Sequence, residues 1–117
     1  MNQMSSPIDF AALLEMLGGD PQIVASLLSK FVDELTADLS ASAQASADQD
    51  AEALRQIAHR IKGTSANLHA LMLSAAAREL EQACTEADAS LMTIKQKVMA
   101  DQARFVQEAI ESWSAYN

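Results

Sequence analysis

Cysteine, proline, glycine and aromatic residues are all scarce in this chain. A single cysteine, Cys84, rules out an internal disulfide. Two prolines and three glycines leave little material for a loop-rich or turn-rich fold. Aromatic residues make up 4% of the sequence, too few for a surface that stacks on bases. Cations are in the minority: 8 Lys and Arg face 16 Asp and Glu, a net charge of −8. A chain this acidic repels a phosphate backbone, so nucleic-acid binding is excluded as a main role. No apolar run approaches the roughly 18 residues that mark a membrane span. Met1 to Ser6 carries neither a charged nor an apolar segment of the secretory kind, so no signal peptide is expected. With one thiol and no export signal, the expected compartment is the cytoplasm.

What is present is helical material. Half of the 117 residues are hydrophobic, with many alanines and leucines and no strand-like alternation. The length gives one domain. The expected class is all-α, an antiparallel helical bundle with a four-helix core and a short N-terminal helix. Residues 1–6 are expected to be flexible, and 7–117 to form the bundle.

In order, Ser6 and Pro7 are read as the start of a short helix bearing Phe10, Leu13, Leu14 and Leu17, stopped by Gly18-Gly19. Asp20 reads as a cap with Pro21 at the first helical position. The second helix runs to about Ser42, on a stripe of Ile23, Leu27, Leu28, Phe31, Leu35 and Leu39, widened by Val24 and Val32. Ala41 to Asp50, rich in Ala, Ser, Gln and Asp, reads as the next loop. Asp48 or Asp50 caps the third helix, which ends near Asn67. The fourth spans about Leu71 to Ala87, with Cys84 a small core residue. Asp88-Ala89-Ser90 breaks the chain before a last helix, about Leu91 to Trp113, carrying Ile94, Val98, Met99, Phe105, Ile110 and Trp113.

The third helix is the informative one. At about 100° per residue, Leu54, Ile57, Ala58, Ile61, Ser65 and Leu68 gather on one side as a core-facing stripe. His59 falls roughly 140° from the centre of that stripe, on the solvent side. Its helical neighbours are Arg55, Lys62, Gly63 and Ala66. Three of the eight cations, Arg55, Arg60 and Lys62, fall close to it. A glycine inside a helix costs about 1 kcal/mol relative to alanine. It is either a clearance for an approaching surface or an ordinary packing residue. His59 has two readings as well: a polar residue on a solvated face, or a nucleophile, since an imidazole with a pKa near 6.5 is largely neutral at pH 7.

The run His59-Arg60-Ile61-Lys62-Gly63-Thr64-Ser65-Ala66-Asn67-Leu68-His69-Ala70 resembles the signature of histidine-containing phosphotransfer (HPt) domains, H-x-x-K-G-[ST]-[SA]-x-x-x-G-A. That family has a Glu or Gln twenty-two positions after the histidine, and Glu81 stands there. Ile8-Asp9-Phe10 through Leu17-Gly18-Gly19-Asp20 resembles the opening of many HPt domains. The resemblance covers about residues 8 to 88; the H-x-x-K-G core with Glu81 is its specific part. His69 departs from the pattern, replacing a glycine at an expected turn, where His tolerates a positive φ better than most residues.

The resemblance implies a phosphorelay protein. His59 would accept a phosphoryl group from a receiver-domain aspartate and pass it to another receiver, on a response regulator or a hybrid sensor kinase. Glu81 would orient His59, and Lys62 would offset phosphoryl charge. Arg55, Gly63 and Ala66 would meet the partner. No kinase activity of its own, no cofactor and no metal are expected, with Mg²⁺ in the receiver; the expected state is a monomer. Without the resemblance Glu81 reads as a solvated helix carboxylate. The rival is a non-phosphorylated helical adaptor on the same fold. A helical metal enzyme is disfavoured, because His59 and His69 are not at i, i+3 or i, i+4 spacing and no Glu-x-x-His pattern occurs.

Overall fold

The computed structural model describes residues 6–114. The loose stretch expected over 1–6 therefore lies, Ser6 apart, outside the described residues. Those described form five helices and no strand: α1 (Phe10–Met16), α2 (Pro21–Ala47), α3 (Ala51–Asn67), α4 (Leu71–Thr85) and α5 (Ala89–Ser114).

Aspartates start four of them. Asp9, Asp20, Asp50 and Asp88 accept from the backbone N–H of Ala12, Gln22, Ala53 and Leu91 at 3.0, 2.9, 3.1 and 3.1 Å. Each satisfies a donor that the first turn leaves free, a contribution of about 0.5–2 kcal/mol. Four helices stop in the same way. The N–H of Gly19, Asp50, Ala70 and Asp88 reaches back to the carbonyl of Leu14, Ala45, Ser65 and Ala83 at 2.7, 2.9, 2.9 and 3.2 Å. The residue before each has positive φ: Gly18 at 79°, Gln49 at 54°, His69 at 61° and Ala87 at 54°. These are Schellman ends. Only the first uses glycine, so the other three turns each carry a left-handed L-residue at a cost of about 1–2 kcal/mol. His69 is the turn residue its place in the motif implied.

Helices α2 to α5 pack as an antiparallel ring, each against its chain neighbours, with α5 closing onto α2. Leu28, Leu35, Leu54, Ile61, Leu80 and Met99 are among the fully buried side chains between them. The short α1 lies across one end. Phe10 stacks flat on Trp113 with ring centroids 5.3 Å apart, and the Asp9 N–H donates to the His69 carbonyl at 3.0 Å.

Four sequence expectations are corrected. Ser6 and Pro7 do not begin α1; Ser6 Oγ donates to the Ile8 carbonyl, and Asp9 caps the helix. Ala41 to Asp50 is mostly not a loop. α2 continues to Ala47 because Ser42 and Ala45 are buried, and Gln96 of α5 donates to Ser42 Oγ at 3.2 Å. The last break lies at 86–88 and shares only Asp88 with the expected Asp88-Ala89-Ser90, because α5 already starts at Ala89. On α5, Ile94, Val98 and Phe105 face solvent, as does Ile23 on α2. The inner face of α5 is instead Met92, Met99, Ala103, Val106 and Ile110.

Candidate functional site

Every member of the α3 stripe, Leu54, Ile57, Ala58, Ile61, Ser65 and Leu68, is buried. That burial fixes the rotation of the helix and sends His59 outward, with its side chain 64% exposed. The tight turn at residues 68–70 folds α4 back antiparallel along α3, which brings Glu81 beside His59. Glu81 Oε2 lies 2.8 Å from His59 Nδ1. Its other oxygen, Oε1, lies 2.7 Å from Lys62 Nζ. One carboxylate thus holds both the ring and the ammonium. Lys62, and then His59, hold the Glu81 carboxyl below the usual carboxylate range, against a partial burial that acts the other way. α4 is also tied to the backbone of α3, since Ser74 Oγ donates to the Lys62 carbonyl at 2.9 Å.

With Nδ1 turned to Glu81, the bond requires the proton on Nδ1 while the ring is neutral, and Nε2 keeps its lone pair. Gly63 and Ala66 follow on the same exposed face. A Cβ built on Gly63 meets no atom within 4 Å.

The remaining cations are committed elsewhere. Arg55 does not turn to His59: its Nε and Nη2 donate to the two oxygens of Glu52 at 3.0 and 2.8 Å. That pair and Gln56 pull the Glu52 carboxyl down to about 2. Arg60 crosses to α2, where its Nη2 and Nε meet Asp38 at 2.7 and 3.2 Å. The Glu52 pairing was legible as an i, i+3 spacing that the sequence reading passed over; Asp38, twenty-two positions from Arg60, gave no such signal. Cys84 is the buried core residue expected, and burial pushes its thiol up.

The sequence profile of the Hpt domain matches residues 26–115. This chain belongs to the Hpt domain family. Hpt domains are phosphocarriers that work with receiver domains in phosphorelays, and histidine phosphotransfer is the role of this one. A solved structure has the same fold: histidine-containing phosphotransfer protein B (HptB) from Pseudomonas aeruginosa PAO1, at 23% identity, with a TM-score of 0.87 over 97% of this chain and 98% of that one. No curated protein matches the chain.

Within this Hpt domain the structure brings together His59, Glu81 and Lys62, places Gly63 and Ala66 on the same open face, and leaves Arg55 with Glu52. Among the described residues, no helix is long and apolar enough to cross a membrane. The site carries a pH signature. Glu81 has a folded pKa below its ordinary value of 4.5. Its contribution to stability is therefore complete above about pH 4.5 and is lost as pH falls through the lower, folded value. Denaturant titrations from pH 6 to pH 3 should show stability falling less steeply in Glu81→Gln than in the wild type.

Proposed function

We propose that His59 is the phosphoacceptor of this Hpt domain, taking a phosphoryl group from a receiver aspartate and giving it to another. The observation that carries this reading is the 2.8 Å bond from His59 Nδ1 to Glu81, which leaves Nε2 free on an exposed ring. Nε2 attacks the phosphorus of an aspartyl phosphate, and its lone pair becomes the new P–N bond. The P–O bond breaks, and its electrons return to the aspartate as carboxylate. The ring now holds a proton on Nδ1 and the phosphoryl group on Nε2, so it is cationic, and Glu81 faces that positive edge. Transfer to the second receiver reverses the same steps.

In this reading the receiver docks over His59, with Gly63 and Ala66 leaving room for its active-site loops. Lys62 is the cation nearest the ring, bound to the Glu81 carboxylate beside it, and offsets part of the phosphoryl charge, whereas Arg55 is held by Glu52. The divalent cation of the reaction sits in the receiver, because the carboxylate beside His59 is already bound to the ring and to Lys62. The protein neither binds a nucleotide nor makes its own phosphoryl donor. It acts as a monomer in the cytoplasm, meeting its partners in turn through a transient interface.

The test is transfer of labelled phosphate from a panel of phosphorylated receivers. Label that appears on the protein, is lost in acid and survives base identifies a phosphoramidate on histidine. A protein that takes no label from any receiver is a helical adaptor.

A further inference from the structure

We infer that two copies of this chain associate reversibly through the outer face of α5, with the two helices antiparallel. The site at His59 is not involved, because α5 touches α2 and α4 in the ring and lies diagonally across from α3. The monomer stays the transferring unit, in exchange with the pair.

The other sides of α5 are accounted for within the bundle. Met92, Met99, Ala103, Val106 and Ile110 fill the core. Gln96 and Gln107 donate to Ser42 and Thr36 of α2 at 3.2 and 3.0 Å. Lys95 reaches Glu79 of α4 at 2.8 Å. Between these sides runs a face that no element covers, and it carries large apolar side chains. Ile94 is 55% exposed, Val98 41% and Phe105 49%. On a helix they fall within about 40° of one another, so they form a row. Leu91 and Ala109, both partly buried, continue it at the two ends. Single exposed apolar residues are ordinary, but a row on one face marks a contact surface.

The charges beside the row say what covers it. Lys97, Asp101, Arg104 and Glu108 follow at i, i+4, i+7 and i+11 along one edge, with alternating sign. Arg104 and Lys97 stand 2.7 and 4.0 Å from Asp101, and Glu108 has no ion pair among the described residues. Read backwards, the order of signs is inverted, so this edge is complementary to itself. Two helices antiparallel about a two-fold axis bring the same edge of each together. With the axis near Gln102, Lys97 comes level with Glu108 of the second copy, and Asp101 with Arg104. Each of these pairs occurs twice. The same register sets Val98 beside Phe105 of the second copy and Ile94 beside Ala109. A parallel pairing would set like charges level, which is repulsive. One register therefore satisfies the apolar row and the charged edge at once. Three half-exposed side chains from each copy make a small interface, so the pair is weak and dissociates readily.

Sedimentation equilibrium on the full chain tests this, at about 0.15 M salt to screen the net negative charge of the two copies. The mass should rise from monomer toward dimer with a Kd below about 1 mM. Phe105→Glu, on an exposed position, should keep the helical circular dichroism and weaken association at least about tenfold. Lys97→Glu and Glu108→Lys, each alone, should weaken it by a similar factor, because each sets like charges opposite one another twice. Mixed in equal amounts, these two variants should pair with each other about as tightly as the wild type, since every facing pair is then of opposite sign. A wild type that stays monomeric at about 1 mM overturns the inference and leaves the α5 face to a different protein. A dimer indifferent to Phe105→Glu, or a mixture no tighter than its two components, overturns it as well, by placing any association on another surface or in another register.

Discussion

Replacing His59 with glutamine should leave a folded bundle that takes up no phosphate. The side chain is 64% exposed, and the contact in question is the bond to Glu81. Surface changes of this kind stay within about 0.5 kcal/mol, so the thermal transition should barely move. The chemistry is a different matter. The lone pair of an amide nitrogen is delocalised into its carbonyl, so glutamine has no nucleophile to replace Nε2. Labelling should therefore fall to background rather than to a fraction of the wild-type level. Circular dichroism and transfer from a phosphorylated receiver, run on the same sample, check both halves. A His59→Gln protein that still carries acid-labile phosphate would move the acceptor to another residue.

The second large effect is expected at Gly63, where stability and docking should move in opposite directions. Glycine inside a helix costs about 1 kcal/mol relative to good helix formers such as glutamine. Nothing in the bundle demands that cost here. Gly63 does not have positive φ, and a Cβ there meets no atom within 4 Å. Gly63→Gln should accordingly raise stability by up to about 1 kcal/mol, a rise of roughly 4 °C in Tm for a domain of this size. The added side chain would stand one turn from His59 on the face proposed to meet a receiver. Binding to a cognate receiver should weaken at least about tenfold, the effect of misplacing about 1.4 kcal/mol of contact. Gly63→Ala separates the two effects, keeping most of the stability gain while adding a single methyl group. Normal receiver affinity in Gly63→Gln would show that the glycine is no clearance.

The third helix was legible almost residue by residue, because its apolar spacing is regular and each stripe position is buried. α5 was not. Its larger apolar residues Ile94, Val98 and Phe105 lie outside, while Ala103 lies in the core, so reading by hydrophobicity alone chose too many on the wrong side. Small residues misled again at the end of α2. Ala41 to Ala47 looks like a linker by composition, yet Ser42 and Ala45 are buried, and Gln96 of α5 donates to Ser42. The ends of α2 and α4 were misplaced for a related reason: their left-handed positions hold Gln49 and Ala87 in place of glycine, whereas α3 ends at Asn67, where it was read, with His69 in the turn. At the site, the pairing of His59 with Glu81 was available only from the family pattern. The second bond of Glu81, to Lys62, follows from how α4 lies against α3 and has no linear signal.

The three-residue turns at 48–50, 68–70 and 86–88 also have a kinetic meaning. Each long helix finds much of its packing against the helix next to it in the chain, so the average loop that must close during folding is short. Helical proteins of such low contact order fold in microseconds to milliseconds. α3 and α4, which carry the two halves of the His59–Glu81 pair, are separated by one of these turns. His59 and Glu81 therefore meet through one of the most local pairings the topology offers.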